Sequence, residues 1–184
     1  MIVKKNNKKN KGFTIIETLI AISILMVSIT APLLLASKGL ELSSTAKYQI
    51  VAFYLAQDAF EEVKNQIDTN KLKGYSRAEN GMLHGDLYDK CTGEDSKCIV
   101  DTISSDINKY SNQSLYFHEI NGLGYYDNNP NNGEKSKYTR YVNIKILGDT
   151  STSIDSVLVS VIIKWKVPYA GEQKYILKSI VTNW

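Results

Sequence analysis

A chain of 184 residues, 43% of them hydrophobic and 22% charged, allows one globular domain of modest core. Its formal charge of +3 conceals an uneven distribution, because five of its 22 basic residues, Lys4, Lys5, Lys8, Lys9 and Lys11, precede position 12. Without them 17 basic residues face 19 acidic ones, a charge of −2 that removes the electrostatic argument for nucleic acid as the main ligand.

The basic leader ends at Gly12 and is followed by an apolar run from Phe13 to Ala36, long enough to span a bilayer and too long for the core of a cleaved secretory peptide. Its lysines sit on the N-terminal side, with Lys38 the first beyond the run, which predicts an N-terminus inside the cytoplasm and a single pass. One carboxylate, Glu17, lies in this run. An ionisable group in hydrocarbon costs roughly 2.5 to 3.5 kcal/mol and so marks a function and a partner, unless it lies shallow enough to reach the interface.

The arrangement Lys11-Gly12-Phe13-Thr14-Ile15-Ile16-Glu17 followed by apolar residues resembles the class III signal of type IV prepilins and type II secretion pseudopilins. That resemblance implies cleavage by a prepilin peptidase between Gly12 and Phe13 and N-methylation of Phe13. It also implies pairing of Glu17 with the Phe13 ammonium of a neighbouring subunit. Its motif covers Lys11 to about Glu62. The implied partners are the peptidase, other pilin or pseudopilin subunits, an inner-membrane assembly platform, and membrane lipid before assembly. Nucleic acid is not expected among them.

Beyond the anchor, Ala46, Ile50, Phe53, Ala56, Phe60, Val63 and Ile67 recur at spacings of three and four. They predict an amphipathic helix over about 40–68, with Lys47, Asp58, Glu61, Lys64 and Asn65 in water. Pro32 and Gly39 predict a bend or softened stretch ahead of it. A polar connection over 69–113 follows, holding Cys91 and Cys98, for which an oxidising compartment favours a disulfide over two free thiols. His84 and His118 stand alone in the sequence, and no metal site is expected.

Strands follow over 114–184. Tyr138 to Leu147 and Ser156 to Val167 alternate apolar and polar residues, and Gln173 to Thr182 closes a hairpin after Pro168 and Gly171. A shorter run, Ser114 to Ile120, supplies a fourth strand. Between them the run from Asp127 to Glu134 sets Asp127, Asn129 and Asn131 at alternate positions, a weak candidate for calcium, which some pseudopilins of the resembling family bind in a loop. Pro130 and the late Gly133 depart from the usual calcium loop, and a solvated turn is the stronger reading.

The predicted organisation is α+β and type IV pilin-like: leader 1–12, membrane or filament-core helix 13–36, and exported domain 37–184, in which the helix packs on an antiparallel sheet of three to four strands. Nothing resembles a nucleophile elbow, phosphate loop, zinc-binding helix or dinucleotide fingerprint, so no enzyme and no cofactor are expected. The segment from Ala46 to Gln66 looks like the helix of minor pilins and of I-type minor pseudopilins. A minor pilin of a type IV pilus is the favoured function, on the cell surface after assembly. A secretion pseudopilin, and a tip adhesin or DNA-uptake subunit meeting its ligand through 69–113, are the alternatives.

Overall fold

The computed structural model describes residues 12–75, 80–93, 95–148, 154–167 and 171–183. The leader lysines, Pro168 and Trp184 lie outside the described residues. Two compact units divide the chain, Met1–Thr45 and Ala46–Trp184, and helix α1, Ile15–Lys73, has residues in both.

In the first unit every described residue through Ser44 is exposed, including Leu19, Ile22, Leu25, Ile29, Leu33 and Leu35. The apolar part of α1 is long and apolar enough to cross a membrane, and none of it is buried. Its hydroxyls are satisfied internally. Thr18, Ser23 and Ser28 donate to the carbonyls of Ile15, Ile20 and Ile24, and Ser37 to that of Leu34. Such back-bonding keeps polar groups compatible with lipid. The helix runs unbroken through Pro32 and Gly39, so neither residue ends it.

In the second unit the buried face of α1 is Ala52, Leu55, Ala56, Ala59, Val63 and Ile67. This stripe is rotated from the predicted one. Ala46, Ile50 and Phe53 are exposed and Phe60 is only partly covered, because three alanines let the helix backbone approach the sheet more closely than a row of phenylalanines could. Asp58, Glu61, Lys64 and Asn65 face water as expected.

Among the described residues the sheet has seven antiparallel strands: β1 Cys98–Val100, β2 Ile107–Lys109, β3 Ser114–Ile120, β4 Leu123–Asp127, β5 Glu134–Leu147, β6 Ser156–Val167 and β7 Gly171–Thr182. Strand β5 is central. Along one edge it pairs β6, which pairs β7, while its other edge is shared by the β3–β4 and β1–β2 hairpins. Val142, Ile144, Val157, Val159, Val161, Ile163 and Trp165 form the inward face and meet α1 in one core.

The strand count exceeds the predicted three to four, and the predicted loop 69–113 is largely built. It holds the end of α1, a 3-10 turn Gly81–Leu83, helix α2 Asp86–Cys91, β1 and β2. Strand β4 follows β3 through a two-residue turn, Asn121 and Gly122, with φ of 55° and 79°. Two successive positive φ values match the right-handed twist of a hairpin, and Asn-Gly reaches them at little cost.

Candidate assembly site at the start of the long helix

Helix α1 begins on a reciprocal cap. The Thr14 backbone N–H and Oγ1 both donate to Glu17 Oε2, at 3.2 and 3.1 Å, and the Glu17 backbone N–H donates to Thr14 Oγ1 at 3.3 Å. Ser or Thr followed three residues later by Glu is the pattern that ties off two otherwise unpaired donors of a helix start, and a carboxylate there also meets the positive end of the helix dipole. Gly12 and Phe13 precede this cap in non-helical backbone, with Phe13 79% exposed and open space around Gly12. The structure thus brings Glu17 together with Thr14, a residue that the sequence reading used only for its spacing.

The other expected site residues lie in the second unit. Cys91 ends α2 and Cys98 starts β1, and the two form a disulfide with Cα atoms 4.9 Å apart. Asp127 turns inward from the candidate calcium run: its Oδ1 lies 2.8 Å from His118 Nε2 and accepts from the Asn129 N–H at 2.9 Å. Asn129 Oδ1 in turn accepts from the Asn131 N–H at 3.0 Å. These oxygens serve the turn. Among the described residues no group of three or more His, Cys, Asp or Glu could hold a metal ion. His118 is therefore not solitary, and its hairpin partner was hidden because β4 went unseen. His84 stacks on Tyr75 with ring centroids 3.7 Å apart.

Sequence reasoning also missed Arg140. Fully buried on β5, it donates through Nη1 to the Leu55 carbonyl and to Asp58 Oδ2, both at 3.2 Å, and through Nη2 to the Val100 carbonyl at 3.0 Å. One guanidinium thus joins α1, β5 and β1. Burial pushes its pKa down, and the Asp58 carboxylate opposes that shift. An arginine at an inward position of an otherwise aliphatic strand was the available signal.

The prokaryotic N-terminal methylation motif matches residues 7–31. Over that segment the chain carries the class III signal of type IV prepilin-like proteins. No curated protein and no solved structure matches it. The motif and the uncovered apolar helix it heads fit membrane anchoring and filament assembly, and they support a structural subunit of the pilin or pseudopilin kind. Its class III signal implies processing by prepilin peptidase and assembly with other pilin subunits.

Proposed function

We propose that this prepilin-like chain is a minor pilin, anchored by one pass with its N-terminus inside before assembly and carried to the cell surface in a type IV pilus afterwards. The observation that carries this reading is an apolar helix surface with no cover of its own, headed by a carboxylate that is already organised by Thr14. Lipid covers such a surface before assembly, and the helices of neighbouring subunits cover it afterwards. Prepilin peptidase cuts between Gly12 and Phe13, where the exposed glycine leaves the bond accessible, and Phe13 becomes the methylated terminus. Glu17 then meets the Phe13 ammonium of the next subunit, which neutralises the charge once lipid is gone and sets the axial register.

Intact mass and terminal sequencing of the membrane-extracted protein test the first step. A chain starting at Phe13 with one added methyl group is expected. A chain still starting at Met1, or starting beyond Ala36, would remove the prepilin reading.

A further inference from the structure

We propose that the open edge of β7 takes an extended segment of a partner polypeptide as an added strand, one that carries carboxylates at alternate positions and branched apolar residues between them. Among the described residues β7 pairs only β6, and at 12 residues it is a long edge to leave unpaired. The direction of its backbone groups follows from one bond. The Asn183 N–H donates to the Asp155 carbonyl at 2.7 Å, and along the unshifted register from Ser156↔Thr182 to Val167↔Gly171 unbonded and bonded pairs alternate from there. Val181, Ser179, Leu177 and Tyr175 therefore exchange bonds with β6. Ile180, Lys178, Ile176 and Lys174 turn their N–H and C=O groups to the open side. Thr182 has the same parity, and its carbonyl accepts from Lys71 Nζ of α1 at 2.8 Å, which closes that end of the edge.

Side chains on both sides of the edge specify the occupant. On the inward side α1 flanks β7. The Phe53 ring meets Tyr175 edge-on at a centroid distance of 5.9 Å, and Phe60, Lys64 and Asp68 wall a recess of about 270 Å³ against Ser179, Ile180, Val181 and Thr182. Phe53 is 37% exposed and Phe60 only partly covered, so apolar side chains of an added strand have rings to cover there. On the outward side Lys174 and Lys178 are exposed beside Ile176 and Ile180. Of the carboxylates bordering the edge, Glu172 pairs Lys164 at 3.0 Å and Asp68 pairs Lys71 at 3.5 Å, so neither answers Lys174 or Lys178. Two β7 edges meeting antiparallel about Ile176 would set Lys174 against Lys178, a like-charge opposition that disfavours a second copy. A strand with its carboxylates outward turns that repulsion into attraction, and its apolar alternation lies over Phe53 and Phe60.

This inference does not rest on the filament reading, and its test uses unassembled full-length protein in detergent micelles. Amide exchange in the free protein should alternate along β7, fast at Lys174, Ile176 and Lys178 and slow at Tyr175, Leu177 and Ser179. The probe is a fluorescent peptide of alternating glutamate and valine, titrated at about 50 mM salt, where exposed charges still act, and read by anisotropy. Binding should slow exchange at the fast positions. In the added strand the glutamate amides face β7 and the valine amides face away. N-methylation of the glutamate nitrogens should therefore weaken binding about tenfold or more, and N-methylation of the valine nitrogens should leave it within about threefold. The pair Lys174→Glu and Lys178→Glu should lose this peptide and gain one of alternating lysine and valine. Ile176→Pro removes one edge N–H and should lose both. Circular dichroism melts establish that each variant folds. The proposal is overturned by no binding up to about 1 mM peptide, by equal binding of the two N-methylated peptides, or by slow exchange throughout β7 in the free protein, which means that the chain covers its own edge. It is equally overturned if light scattering finds a dimer that Ile176→Pro separates, which assigns the edge to a second copy.

Discussion

Thr14 and Glu17 share a cap, so substitutions at the two positions separate local helix stability from the charge. Thr14→Ala removes the hydroxyl and is expected to weaken the helix start by about 1 kcal/mol, seen as faster amide exchange over the first turn in micelles. Glu17→Gln keeps an acceptor for the Thr14 N–H but no charge, so the helix start and membrane insertion should persist while incorporation into sheared filaments falls. Undiminished incorporation of that variant would mean that the carboxylate serves only as a cap. Tyr138 carries a second residue-scale prediction. Its hydroxyl donates to the Tyr48 carbonyl at 3.3 Å, and burial first, then Tyr126 and Tyr48, pushes its pKa up to about 12. A pKa raised above the unfolded value near 10 stabilises the fold fully below about pH 10, and that contribution is lost as pH rises toward 12. Melting temperatures between pH 9 and 12 should therefore fall more steeply for the wild type than for Tyr138→Phe. Parallel curves would show that other groups govern the alkaline limit.

Between α2 and β1 the Cys91–Cys98 disulfide closes a short loop beside the β5 edge, where the Thr92 bridge to Ile144 and the Asn143 bonds to Gly93 and Ser96 continue the attachment. On the chain-entropy model it contributes about 2 to 3 kcal/mol, so Cys91→Ser with Cys98→Ser should lower the unfolding free energy by that amount, read as a lower denaturant midpoint, without changing the sheet signal in circular dichroism. An unchanged midpoint under non-reducing conditions would contradict this. These small elements mark the limit of what the sequence discloses. Strands β5, β6 and β7 span 12 to 14 residues, long enough for a period of two to stand out, and the alternation of β5 and β6 is legible from it. Strands β1 and β2 have three residues each and α2 has six, too few to display any period. Strand β4 was different, since Asn121-Gly122 is a strong hairpin signal that lay in plain view. The phase of the α1 stripe was misjudged because aromatic residues outweigh alanines in any hydrophobicity count, whereas contact with a sheet rewards small size. At the candidate assembly site, Gly12, Phe13 and Glu17 were readable by spacing, while the bonds from Thr14 to Glu17 required coordinates.

For the molecule as a whole, Arg140 is the residue through which distant parts of the chain depend on one another. Asp58→Ala leaves its guanidinium buried without the carboxylate that bonds it, with only Asp101 and Asp127 acting on it from farther off, and should destabilise the second unit by about 2 kcal/mol, less than the roughly 3 to 5 kcal/mol of a fully buried pair because the Asp58 side chain is half exposed. Adding Arg140→Met should recover part of that loss in denaturant unfolding, since an apolar side chain of similar length no longer needs a partner. A double variant less stable than Asp58→Ala alone would show that the bonds to Leu55 and Val100 outweigh the charge. The same tie has a bearing on biosynthesis. Arg140 and Asp58 are 82 positions apart, and the strands that cover Ala52, Ala56 and Ala59 are made long after them. A ribosome therefore releases the helix long before its cover, and contacts of such sequence separation are slow to close. Until β5 to β7 emerge the polypeptide has no complete core to lock. The second unit becomes rigid only when those strands have arrived.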